Sequence, residues 1–297
     1  MTLPAHALLS LKPGERAVII HEDDVGNCHG ANQAFLELSR TGALTCGSVM
    51  VPCPWFREAV AMAAEEPSLD LGVHLTLTSE WPAYRWAPIS TVSRASGLVD
   101  EEGYFWRNCK LLAEHVVIEA AEIELRAQIE RALGAGIDAT HLDTHMGGAF
   151  VPKLIDLYLR LGREYRLPVL LPRRLDEYFR VLKLDMADAG PHLAHVARLE
   201  QAGVALVDDF RMTPGVASAD CDAAYERLVD ELPEGITFLA LHPCAPGDIE
   251  LIVPPRAHYR TDEYRLLRTG RIAGWLAERG IRAVGYRPFR DALRAAA

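Results

Sequence analysis

Three groups of potential metal-ligating side chains stand in order along this chain: the adjacent pair Asp23-Asp24, the single histidine His74, and the alternating series His141-Leu142-Asp143-Thr144-His145. Two imidazoles and a carboxylate around an open coordination position are what hydrolases use to activate water with a divalent metal. Residues two apart in a strand share a face, so the spacing predicts that His141, Asp143 and His145 point the same way. Three titratable groups on one buried face are costly unless they bind a metal or pair with one another. A solvated polar strand end is the plainer alternative.

The other groups also admit two readings each. Asp23-Asp24 could cap the helix expected from about Asn27, or give one carboxylate to a metal and keep the other as general base. His74 lies in the apolar run Gly72–Leu77, where a lone histidine is ordinarily a hydrogen-bonded core residue; its case as a ligand depends on the other groups. His242 ends the run Leu239-Ala240-Leu241 and could protonate a leaving amine or simply pack against Pro243.

Short apolar runs that alternate with helical patterns must position these groups. Strands are expected at Ala17–His21, Leu44–Val51, Leu71–Leu77, Ala139–His145, Val169–Leu171, Val204–Val207, Ile236–Leu241 and Arg282–Gly285. Helices are expected near Ala31–Arg40, Trp55–Glu66, Val116–Leu133, Pro152–Tyr165, Pro191–Ala202, Cys221–Glu231 and Asp262–Arg279. This alternation predicts an α/β fold with parallel strands and right-handed crossovers, and seven or eight units favour a barrel over an open sheet. The chemical groups then lie where barrels carry their sites, at the C-terminal strand ends. One domain is expected over residues 1–297, with a long loop insertion at about 79–108 of the kind that is usually functional.

Composition narrows the classes. Hydrophobic residues make up 49% of the 297, enough for a large core. The net charge of −10 speaks against a nucleic-acid partner, which needs a basic stripe. Six cysteines without a C-x-x-C pair predict isolated buried thiols. No run of 18 apolar residues exists, so no membrane contact is expected. Residues 1–16 lack the pattern of a secretory leader, and a cytoplasmic location is expected. Neither a G-x-G-x-x-G nor a Walker motif occurs, which disfavours nucleotide cofactors.

Taken in order, His21-Glu22-Asp23-Asp24-Val25-Gly26, Gly72–Thr78, Thr140–His145 and His242-Pro243 resemble the YdjC family of carbohydrate deacetylases, which includes chitooligosaccharide and hopanoid-glycan deacetylases. Leu98–Phe105 is similar to a loop of that family, and the likeness covers most of the chain. The resemblance implies a distorted (β/α) barrel of the glycoside hydrolase/deacetylase type and metal-dependent removal of N-acetyl groups from amino sugars. By position it implies Asp24, His74 and His145 as metal ligands, Asp23 as general base and His242 as general acid. Mg²⁺ and Zn²⁺ both fit the implication; two imidazoles and a carboxylate suit zinc better. An N-acetylated sugar is the implied partner, and a homodimer the implied assembly.

The chain departs from the family where Asn-Ala commonly precedes the Asp pair and where His145-Met146-Gly147-Gly148 replaces a histidine-rich run. A family arginine aligns with Leu171, with Arg174 nearby. His141, Asp143, Arg174 and Trp86 are expected to support the ligands or meet substrate. The aromatics of Trp81–Trp86 suit sugar stacking and equally suit packing. Alternative functions are hydrolysis of another amide or a phosphoester, or carbohydrate binding without turnover.

Overall fold

The computed structural model describes residues 4–295; the first three residues of the N-terminal stretch considered above lie outside the described residues. Seven strands alternate with helices: β1 (Arg16–Val25), β2 (Cys46–Val49), β3 (Leu71–Leu75), β4 (Leu142–Thr144), β5 (Asp209–Met212), β6 (Gly235–Leu241) and β7 (Arg282–Ala283). All their pairings are parallel, in the order β4-β3-β2-β1-β6-β5, with β7 also on β1.

An irregular segment, 168–174, joins the two edges. Leu142 N–H donates to Pro168 O at 2.8 Å and Leu170 N–H to Leu142 O at 2.9 Å. On the other side, Arg173 and Arg174 N–H groups donate to Val207 O and Asp208 O, each at 3.0 Å. Backbone pairing therefore continues from β4 to the residues before β5, and the sheet curls into the expected distorted barrel. The strand expected at Val169–Leu171 is reduced to a single bridge, Leu142 to Val169. The strand expected at Val204–Val207 is absent, and pairing with β6 begins at Asp209 instead. Apolar content alone misplaced that element, because Val207 and Asp208 spend their carbonyls on the irregular segment.

Outer helices cover the strands. Phe35 and Leu38 of helix His29–Arg40 are fully buried, each worth roughly 1.5–3 kcal/mol of transfer free energy. The long helix expected at Asp262–Arg279 is two, Ala257–Arg268 and Arg271–Glu278, broken at Gly270, whose φ of 71° is a left-handed conformation. The 79–108 stretch is packed rather than loose. Trp86, Leu98, Val99 and Phe105 are buried, and Glu124 accepts the N–H groups of Ile89 and Ser90. Among the described residues no helix is long and apolar enough to cross a membrane.

Candidate metal centre

Alternate residues of β1 to β4 line the barrel interior with polar groups. His21 and Asp23 come from β1, Ser48 from β2, His74 from β3 and Asp143 from β4. All are buried except Asp23, which is partly exposed. Such a layer is stable only if its members satisfy one another. They do. His74 Nδ1 lies 2.9 Å from Asp143 Oδ1, and Ser48 Oγ donates to Asp143 Oδ2 at 2.9 Å. His21 Nδ1 lies 2.7 Å from Asp23 Oδ1, and its Nε2 lies 3.0 Å from His141 Nε2. His141 stacks on Tyr286 at 4.2 Å and fills the space over Gly72, where any Cβ would come within 2.5 Å of the imidazole.

Asp24 reaches this layer through a break in the strand. Between Glu22 and Val25 the register of β1 against β2 shifts, and Asp24 adopts a left-handed φ of 68°. A bulge of this kind re-aims side chains. Adjacent aspartates that would face opposite ways in a regular strand thereby border one site. Asp24 Oδ1 lies 3.5 Å from His74 Nε2 and 3.0 Å from His145 Nδ1. Asp24 Oδ2 accepts from Arg260 at 2.7 Å.

His145 departs from the expected geometry. It lies just past the end of β4, not within it, and the chain then turns through left-handed Met146 and Gly147. Its Nε2 lies 2.9 Å from Glu80 Oε2. With a metal bound and each ring neutral, the protons would sit on His74 Nδ1 and His145 Nε2, facing Asp143 and Glu80, and the other nitrogens would be free for the ion. Carboxylates behind metal-ligating imidazoles fix the tautomer in this way.

Asp24, His74 and His145 form a buried group able to hold a metal ion, their ligand atoms all within 4.8 Å of one another. Bonds of 2.0–2.1 Å to a tetrahedral ion place ligand atoms about 3.3 Å apart, close to the 3.0 and 3.5 Å observed. Burial pushes the Asp24 carboxyl up, but Arg260 and His145 outweigh it and hold it well below the usual carboxylate range. Burial likewise lowers His145, whereas Glu80 and Asp24 raise it to about 9. Without a metal His145 is therefore a cation paired with Asp24, and a metal ion binding here would displace its proton.

His242 stands opposite, directly after β6. Its Nδ1 lies 2.9 Å from Thr213 Oγ1, and its Nε2 faces Asp23 Oδ2 at 3.7 Å. Burial and Arg260 lower it to about 4, so the ring is neutral at neutral pH. Glu263 Oε2 accepts the His242 N–H at 2.6 Å and fixes that corner.

Of the remaining sequence candidates, His141, Asp143 and Trp86 lie around this core and Arg174 does not. Asp143 orients His74, and His141 underlies His21. Trp86 is buried, donates its indole N–H to Thr78 O and lies 5.6 Å from the His145 ring, so it packs behind the site. Trp81 is buried beneath the Arg260 guanidinium. Arg174 reaches Asp209, opposite Thr237 in β6 and well before the end that carries His242. Glu80, Arg260, Ser48 and Thr213 were not singled out in the sequence; Glu80, six residues after His74 and just beyond its strand, carried the one usable signal.

The model of the family described as YdjC-like protein matches residues 17–278. A carbohydrate deacetylase of Thermus thermophilus is 42% identical over 163 residues, 55% of this chain and 56% of that protein. This match and one to a Brevibacillus brevis carbohydrate deacetylase span little more than half of those relatives, 56% and 59%. A carbohydrate deacetylase of Thermoanaerobacter pseudethanolicus is 28% identical over 85% of this chain and 90% of its own. A crystal structure from Enterococcus faecalis V583, named for cellobiose-phosphate cleavage, superposes with a TM-score of 0.73 at 26% identity, covering 92% of this chain and 98% of that one.

Proposed function

We propose, from the premise that this chain belongs to the YdjC-like family, that it is a metal-dependent hydrolase removing N-acetyl groups from an amino sugar or oligosaccharide. The observation that carries this reading is the buried Asp24, His74 and His145 group flanked by a second carboxylate, Asp23, and a neutral imidazole, His242. Its kinship with relatives named carbohydrate deacetylases supports the substrate class.

Asp24, His74 and His145 would hold a divalent ion, which when bound would supply Lewis-acid polarisation of the acetamide carbonyl and a lowered pKa for water. Asp23, held by His21, takes the proton of the attacking water. His242 is neutral at rest and must be charged before it can act as an acid. The 3.7 Å approach of Asp23 Oδ2 to His242 Nε2 gives the route: the proton taken by Asp23 passes to His242 and then to the departing amine. Arg260 keeps Asp24 ionised throughout. Two imidazoles and one carboxylate favour Zn²⁺ over Mg²⁺.

The test is acetate release from N-acetylglucosamine oligomers by chelator-stripped protein reloaded with Zn²⁺ or Mg²⁺, beside Asp24→Ala. Metal-dependent acetate that falls to background in the variant is the expected result. Full metal occupancy without acetate from any oligomer would overturn the deacetylase reading. Asp143→Asn removes the charge behind His74, and metal affinity is expected to fall about 10–100-fold. Equilibrium dialysis against a competing chelator checks that figure, and unchanged affinity would remove Asp143 from the assembly.

A further inference from the structure

A second cluster of ligating atoms lies outside the site above. Cys28 stands four residues after Asp24 at the start of helix His29–Arg40, and Cys244 stands two residues after His242. The sequence suggested isolated thiols, but their sulfurs are 3.6 Å apart and buried. Metal–sulfur bonds of 2.3 Å at a tetrahedral ion set two sulfurs about 3.8 Å apart. A covalent disulfide would require about 2.05 Å. The pair is thus held near ligand spacing.

Asp248 supplies the third group. Its Oδ2 accepts from His29 N–H at 2.9 Å and its Oδ1 from Gly30 N–H at 3.3 Å, which fixes the carboxylate while leaving lone pairs free. One ligand atom from each of Cys28, Cys244 and Asp248 lies within 4.8 Å of the others. Gly30 makes this convergence possible: a Cβ there would meet Ala245 O at 2.4 Å, Cys244 Sγ at 2.7 Å and Asp248 Oδ1 at 3.0 Å.

We infer that Cys28, Cys244 and Asp248 form a second metal site, selective for a thiophilic divalent ion such as Zn²⁺. Two thiolates and a carboxylate make a soft, anionic set, unlike the imidazole-rich set at Asp24. The bound ion ties the turn that follows β1, the strand carrying Asp23 and Asp24, to the loop after β6, which carries His242. It is a structural clasp that fixes the separation of the two halves of the site.

Cobalt titration of reduced, chelator-stripped protein tests this. Asp24, His74 and His145 include no sulfur, so a sulfur-to-cobalt charge-transfer band in the near ultraviolet reports only the cysteine site, whatever the fate of the deacetylase reading. Two equivalents of Co²⁺ per chain are expected, one of them carrying the band. The double variant Cys28→Ser/Cys244→Ser should bind one equivalent without it. Asp248→Asn, which retains both thiols, should weaken the sulfur-ligated equivalent at least tenfold and serves if the double variant does not fold. Wild-type protein saturated with cobalt but showing no band would overturn the site. A band of undiminished intensity in the double serine variant would do the same.

Discussion

Asp23→Asn is expected to lower kcat by about 10²–10⁴-fold, the usual contribution of a positioned proton acceptor. Metal content should stay near one equivalent at the Asp24 centre. The split follows from the bulge in β1, which sends the two adjacent carboxylates to different partners. Asp24 faces His74, His145 and Arg260, whereas Asp23 faces His21 and His242. The amide of asparagine preserves shape and can still meet His21, but it cannot accept a proton at neutral pH. Steady-state kinetics on a metal-loaded sample, with metal measured on that same sample, is the check. Full activity in this variant would remove Asp23 from the proton path. Loss of metal together with activity would instead place it among the ligands.

Arg260→Ala should destabilise the metal-free protein by about 3 kcal/mol, the lower end of the range for stripping one partner from a buried ion pair. The lower end applies because Asp24 keeps a second cationic neighbour, His145 at 3.0 Å. The variant also leaves the face of Trp81 without its guanidinium, at 5.3 Å from the ring centroid in the native protein. Added metal should recover much of the loss, since an ion compensates Asp24 as the arginine did. Urea unfolding of wild type and variant, with and without metal, measures both effects. A wild-type-like midpoint without metal would show that Arg260 does not offset the buried charge.

Much of this site was legible because strand ends advertise themselves. Asp23-Asp24, His74 and His242 each interrupt or terminate an apolar run, and a parallel barrel brings such ends together. Asp143 was visible by alternation with His141. His145 was found for a partly wrong reason: it converges because the chain turns after β4, through Met146 and Gly147, and not because it continues the strand face. Arg260 was invisible, since it lies 236 positions from Asp24 on a helix whose pattern resembles any solvated surface. The aromatics of the 79–108 stretch were ambiguous by nature. Trp81 and Trp86 bury their rings behind the site because Thr78 and Arg260 offer them partners there. The misplacement of the strand expected at Val204–Val207 has a similar origin: hydrogen bonds at Val207 and Asp208, not apolar content, decided where pairing begins.

The contact between His141 and Gly72 has a consequence for what this barrel can take in. With the imidazole seated on the glycine and Tyr286 stacked against its other side, the barrel is plugged directly beneath His74 and Asp23. The plug makes the site a dish with a solid floor, and a long polymer cannot thread through it. A substrate must lie across the rim and lower one substituent toward the carboxylates. Discrimination among substrates then belongs to the walls built by the strand-end loops. Those walls can change without disturbing the floor, which is closed by a ring that only glycine admits.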